Sequence, residues 1–356
     1  ARPGAQVAID GYHLRWRAQP AELVTFRNPT LDERTILVVA PHPDDAEIAA
    51  FGTYAGRDAW IVTVTAGNYD DGRYAYLAPT SEARDELRGR VRAWDSVVIP
   101  AWGGVPPARS IQLGFLNGSL RGLHGGRAEP EASRVAAHRR FNAAPEFADR
   151  PVDPTWDGLV DDLVAVLETA RPEIIVTAHP ALDISEDHRF ATWALFDALD
   201  RVGADDGWLL LYTNHLVFGE HYPFGPADAH ITLPVWLDPE LPVRSVLSHP
   251  LDERTRLDKL FALEAKHDLR AAPPPILGRG PVRRGLDRCA AAIREVLRDP
   301  ASTYDYLRRA PRPNEVFLVS TWADRDALRA YVEHAWPIEG EPTGREGYVG
   351  GGDTDR

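Results

Sequence analysis

Four short runs constrain this chain most: "TILVVA" (35–40), "DAWIVTVTAG" (58–67), "PEIIVTAHP" (172–180) and "WLLLYTNHL" (208–216). Most of each run is apolar with little interruption, and β-branched or aromatic residues dominate. A strand with one wet face alternates polar and apolar residues, whereas a continuous run belongs to a strand buried on both faces. "EVFLVS" (315–320) reads as a last strand. Between the runs stand segments of helical character. They are "AEIAAFGTYAG", ending near Gly56, "SEARDELRGRVRAWDSV" (81–97) with Ser81 as its cap, "WDGLVDDLVAVLETA" (156–170), "EDHRFATWALFDALDRV" (186–202), "LDERTRLDKLFALEAKHDL" (251–269) and "CAAAIREVL" (289–297). Strands alternating with helices predict an α/β fold, a Rossmann-like doubly wound, mostly parallel sheet with helices on both faces. In such a sheet ligands sit beyond the carboxyl ends of the strands, here under long loops.

With 356 residues there is ample chain for a sizeable core. We read residues 1–30 as an N-terminal arm, 31–320 as one α/β domain with a long loop insertion at 100–155, and 321–356 as a C-terminal extension whose tail is disordered from about 343. No internal repeat appears, and the chain holds no methionine. A net charge of −13 speaks against nucleic acid as a partner, because phosphate binding needs clustered Lys and Arg. The single cysteine, Cys289, rules out an intrachain disulfide and Cys-rich zinc modules, and its apolar helical setting makes it a core residue. No apolar run reaches the ~18 residues that cross a bilayer. "ARPGAQVAID" at the start has no signal-peptide core, so a cytoplasmic location is the expectation, with a processed form left open.

The chemistry gathers at "VVAPHPDDAEIAAFG" (38–52), where a buried strand runs straight into His42, Asp44 and Asp45. Imidazole and carboxylate are the usual non-thiol ligands of zinc. Neighbouring residues point in different directions, so Asp44 and Asp45 cannot easily both grip one ion from one side. One would ligate and the other act as a base. A catalytic zinc wants a third protein ligand, and it should come from another strand end. The best candidate is "DISEDHRF" (183–190), where Asp187 and His188 open a helix. The bland alternative for "HPDD" is a polar turn whose aspartate caps a helix.

"VVAPHPDDAE" at the end of a buried strand, with a later "DxxxDH", resembles the PIG-L/LmbE family of zinc-dependent N-acetylglucosaminyl deacetylases. The likeness spans residues 31 to about 270 and includes a weak match at "KLFALEAKHDL". It implies that His42, Asp45 and His188 hold zinc and that Asp44 is the general base. It also implies that Asp187 orients a neighbouring imidazole, with Asp183 an acidic position many members share. The chain departs from the family at one place. Members usually read "HPDH" where this chain has "SEDH", so Ser185 stands where an imidazole would assist the tetrahedral intermediate. His179 is then the candidate to supply that group, with Ser185 itself, a water or the metal as alternatives. The reaction implied is metal-assisted hydrolysis of the N-acetyl amide of an amino sugar within a glycoconjugate or polysaccharide, the long loops suiting a substrate larger than a monosaccharide.

Further pocket residues are expected from position. Asn68, Tyr69 and Asp70 follow the second strand at the carboxyl edge and suit sugar hydroxyls. Arg84 lies near a family position that contacts substrate, and Arg88 sits one turn on; a solvated charged face is the plainer reading of both. Trp102 and Phe115 lie in the Gly-rich loop region and suit stacking on a sugar, or a place in the core. His221 and His230 occupy a second loop and are not assigned to the metal. No GxGxxG follows the first strand, no P-loop ending appears, and no GxSxG elbow is present, which weighs against nucleotide binding and against a serine hydrolase. Two competitors remain: the same hydrolysis on another N-acyl substrate, such as a thiol conjugate or an antibiotic, and a glycan-binding relative without turnover.

Overall fold

A computed structural model describes residues 26, 28–70, 72, 74–128, 132–215, 229–233, 237–267 and 310–335. The strands are β1 (Ile36–Ala40), β2 (Ala59–Thr65), β3 (Ser110–Phe115), β4 (Ile174–Ala178), β5 (Trp208–Tyr212), β6 (Ser245–Pro250) and β7 (Asn314–Thr321). The helices are α1 (Asp45–Tyr54), α2 (Ser81–Val98), α3 (Leu120–His124), α4 (Ala132–Arg139), α5 (Pro145–Ala148), α6 (Trp156–Ala170), α7 (Glu186–Val202), α8 (Glu253–Glu264) and α9 (Arg325–Ala335). Most of residues 1–30, the helix expected at 289–297 with Cys289, the tail from 343 and His221 lie outside the described residues.

The sheet has seven strands in the order β3-β2-β1-β4-β5-β7-β6. β1 pairs in parallel with β2 and β4, β2 with β3, and β4 with β5, while β7 runs antiparallel to β5 and β6. The mostly parallel, doubly wound sheet is therefore present, with an antiparallel finish. Every residue of β1 and β4 is buried, as continuous apolar runs require. The two-residue period of the strands divides the core. Leu37 and Val39 join one cluster with α6, α7 and α9, and Ile36, Val38 and Ala40 join the other with α1 and α8.

The chain leaves β1 toward β2 and β3, then crosses back to β4 on the other flank. The crevice at this reversal opens at the carboxyl ends of β1 and β4. It therefore brings the loop after residue 40 against the loop after residue 178.

Several local expectations are corrected. Residues 100–155 are not an irregular insertion, since β3 and α3 to α5 lie within them. β3 was hidden by polar Gln112 and by Gly114. Gln112 is buried but bonded to Ser96 Oγ (3.0 Å), and Gly114 takes φ +82° where the register with β2 shifts. A Cβ at Gly114 would lie 2.5 Å from the Val135 carbonyl oxygen. β6 lacks a continuous apolar run because it is a half-exposed edge strand ending on Pro250. The cap of α2 is Thr80, not Ser81: Thr80 is extended and its hydroxyl accepts from the Ala83 N–H at 3.2 Å. The helix expected at 251–269 is shorter, spanning Glu253–Glu264. After residue 320, α9 adds Leu328 and Val332 to the core.

A candidate metal centre at the carboxyl edge

Three atoms converge in the crevice between β1 and β4. His42 Nδ1 lies 3.1 Å from His188 Nε2 and 3.3 Å from Asp45 Oδ2, and His188 Nε2 lies 3.1 Å from Asp45 Oδ2. Two donors each 2.0–2.1 Å from one tetrahedral zinc are about 3.3 Å apart. The triangle is therefore close to one face of such a site. All three side chains are buried, and among the described residues this is the group of His, Cys, Asp and Glu side chains able to hold an ion. The donor set, two imidazoles and one carboxylate, matches a hydrolytic zinc site with a coordination position to spare.

Each of the three side chains is held from behind. His42 Nε2 meets Asp187 Oδ2 at 3.2 Å, and His188 Nδ1 lies 3.0 Å from Asp183 Oδ2. Asp45 Oδ1 accepts from Asn214 Nδ2 at 2.7 Å, and its Oδ2 accepts from the His42 backbone N–H at 2.8 Å. The carboxylates are themselves anchored. Asp187 accepts from the Gly118 N–H at 2.6 Å, and Asp183 from the Asn214 (2.9 Å), His215 (3.2 Å) and Ser185 (3.1 Å) N–H groups. Carboxylates behind ligating imidazoles fix ring orientation and raise ligand basicity.

The electrostatics are those of a cation site. Burial alone would lower His42, but the carboxylates of Asp187 and Asp45 outweigh it and raise the imidazole to about 9. His188 is likewise raised, with Asp183 and Asp45 overcoming burial. Burial would raise Asp45, yet His188 and His42 hold it well below the usual carboxylate range. Bare, the site keeps protons; a divalent ion would displace them.

Asp44 stands at the N-cap of α1, but its side chain makes no cap bond. Instead Oδ1 accepts from Arg92 Nη2 at 3.1 Å, both groups being largely buried. The adjacent aspartates thus have different partners, Asp45 meeting the imidazoles and Asp44 a guanidinium. Arg92 is not among the residues the sequence singles out, yet Arg84, Arg88 and Arg92 stand at steps of four on α2, a stripe that is its signal.

His179 is fully buried. Its Nδ1 accepts from the Ala181 (3.2 Å) and Leu182 (3.3 Å) N–H groups, which places the proton on Nε2, and that buried N–H has no hydrogen-bond partner among the described residues. Burial lowers its pKa to about 4, so the ring is a neutral donor. Ser185 caps α7 without a side-chain cap bond. His215, unread in the sequence, follows β5 and tilts against His188 at 5.3 Å between ring centroids.

The expected substrate residues divide. Asn68 follows β2 at the carboxyl edge and is bonded to Asp85 (2.8 Å) and to the Asn117 N–H (2.9 Å). Arg88 is buried, stacks over Tyr69 at 3.5 Å and donates to its hydroxyl at 2.7 Å. Arg84 is clamped on Asp70 through two bonds of 2.8 and 2.7 Å. Trp102 is not brought to the site. It lies past the end of α2, on a 3-10 turn whose Gly103 carbonyl accepts from Gly56 N–H at 2.9 Å, near the amino end of β2, and it packs on Phe261. Phe115 is core, and His230 is exposed.

No protein-family model and no curated protein matches the chain. Among solved structures it is similar to the A40926 pseudoaglycone deacetylase Dbv21, at 18% identity over 82% of this chain and 99% of that one, with a TM-score of 0.44. It is similar to the zinc-inhibited form of the teicoplanin deacetylase Orf2, at 15% identity over 81% and 98%, with a TM-score of 0.41. It is also similar to N,N'-diacetylchitobiose deacetylase from Pyrococcus horikoshii, at 13% identity over 82% and 85%, with a TM-score of 0.41. At such identities and scores these likenesses carry neither substrate nor reaction to this chain. Among the described residues no helix is long and apolar enough to cross a membrane.

Proposed function

We propose that the protein is a zinc-dependent amidohydrolase that removes the N-acetyl group from an amino sugar of the N-acetylglucosamine type, within a glycoconjugate or polysaccharide. The observation that carries this reading is the triangle of His42, Asp45 and His188, with Asp44 next in the chain to Asp45 and held by Arg92. His42 Nδ1, Asp45 Oδ2 and His188 Nε2 would hold the metal, which when bound acidifies a water and polarises the amide carbonyl.

The chain's own groups do the rest. Asp44, oriented by Arg92, takes the proton of the attacking water and returns it to the departing amine, so that amide and water become acetate and free amine. His179 presents a neutral Nε2–H, the kind of donor that stabilises a developing oxyanion, and Ser185 is the second candidate for that role. Asp187 and Asp183 keep the imidazoles in one tautomer. Asn68 after β2, with Arg88 of α2 stacked on Tyr69 and Arg84 held by Asp70, would suit hydroxyl groups of the sugar.

The test is acetate release from N-acetylated chito-oligosaccharides, with and without added zinc. Zinc-dependent release that stops after chelation supports the reading. Zinc uptake without release from any sugar, but with release from N-acyl antibiotics or thiol conjugates, would move the substrate and keep the chemistry. Saturable sugar binding with no release from any amide would make the chain a binding module, the reading Ser185 favours.

A further inference from the structure

A buried cation lies beneath the metal turn. Lys266, just past α8, is 1% exposed. Its Nζ donates to the Pro43 carbonyl at 2.5 Å and pairs with Glu47 Oε2 at 2.7 Å, while Tyr54 donates to Glu47 Oε1 at 3.1 Å. The next residue, His267, is tied to buried Asp95 of α2 through its N–H (2.9 Å) and its ring Nδ1 (2.5 Å). Two consecutive residues therefore knot together the metal turn, α1 and α2, the helix that also carries Arg92.

Stability does not explain this arrangement. A buried ion pair is often matched or bettered by apolar residues of similar volume. The contact between α8 and α1 contains a comparison. Lys259 of α8 is also buried and paired, to Glu315 at 2.8 Å, but its other bond goes to the Ile48 carbonyl (2.8 Å) and not to the turn. What sets Lys266 apart is Pro43, which separates the ligand His42 from the base Asp44. Proline fixes φ and has no N–H, so its carbonyl is the handle by which the peptide between the two functional residues can be held.

We propose that Lys266 is a positioning residue of the metal centre, holding the Pro43 carbonyl so that His42 and Asp45 present their donors together. The inference rests on the zinc reading of His42, Asp45 and His188. It makes a prediction opposite to simple electrostatics. Removing a nearby cation should by charge alone tighten binding of a dication; removing a strut should loosen it.

The experiment is zinc affinity by chelator competition, beside thermal unfolding, for wild type, K266M, E47L/K266M and K259M. The double variant replaces the ion pair by apolar volume and guards against K266M failing to fold with Glu47 left unpaired. Zinc should bind about 10-fold or more weakly to the folded double variant, the scale of a lost supporting contact, while K259M keeps wild-type affinity. A folded double variant with wild-type affinity, or K259M weakened as much, would overturn the proposal. A wild-type chain that takes up no zinc would instead remove the metal reading, and this inference with it.

Discussion

His42 Nδ1 and His188 Nε2 stand 3.1 Å apart although 146 residues separate them along the chain. Their meeting follows from the sheet order, because β1 and β4 are neighbours and each histidine lies beyond the carboxyl end of one of them.

Replacing His188 by Ala breaks the triangle. Zinc content after dialysis should fall from about one ion per chain to near none, measured by elemental analysis. In wild type the zinc must displace the proton that the carboxylates hold on His42 up to about pH 9. Affinity should therefore rise with pH toward that value, read by titration at several pH values.

On the proposed assignment, Asp44→Asn keeps the metal ligands and removes the base. The variant should bind zinc as wild type does, yet lose about 10²–10⁴ in turnover. Full activity in a zinc-loaded Asp44→Asn protein would refute the assignment.

Asp183→Asn leaves the volume beside His188 Nδ1 but takes away the charge that now lies 3.0 Å from it. Zinc affinity should drop about 10–100-fold, the usual effect of losing such a partner. Chelator competition reads this directly and needs no substrate.

Gly67 has φ +60°, and a Cβ there would lie 2.5 Å from Arg92 Nε and 2.8 Å from Pro43 Cδ. Gly67→Ala should cost on the order of 1–3 kcal/mol from backbone strain and displaced neighbours. It should also lower turnover by shifting Arg92 away from Asp44. Denaturant unfolding and acetate release test the two effects separately.

His179 should make the fold acid-sensitive. Burial lowers its pKa from the ordinary 6.5 to about 4, so the unfolded chain binds more protons between those values. Stability then rises with pH through this window and is lost as pH falls from about 6.5 toward 4, by on the order of 3 kcal/mol for this group. His179→Asn, whose side-chain oxygen can still accept from the Ala181 and Leu182 N–H groups, should show a smaller difference in unfolding midpoint between pH 7 and pH 4.5. An undiminished difference would mean that other buried histidines carry the acid response.

The sequence by itself determined the parts whose physics is local. Continuous apolar runs marked β1, β2, β4 and β5, because a strand buried on both faces has no polar positions to interrupt it. Charge placed just beyond such runs marked the carboxyl edge of the sheet, and His42, Asp44, Asp45 and His188 stand there. Only the tertiary structure decided what depends on partners far along the chain. β3 and β6 took shape through pairing with β2 and β7, with a bulge and an exposed edge blurring their pattern. Arg92 on Asp44, Asn214 on Asp45 and Lys266 under Pro43 are buried polar contacts between distant segments. A buried charge is tolerable only beside its partner, and that partner is chosen by how the helices pack, which spacing along the chain does not reveal. Trp102 shows the reverse: an aromatic in a promising loop, carried by the length of α2 toward the amino end of the strands.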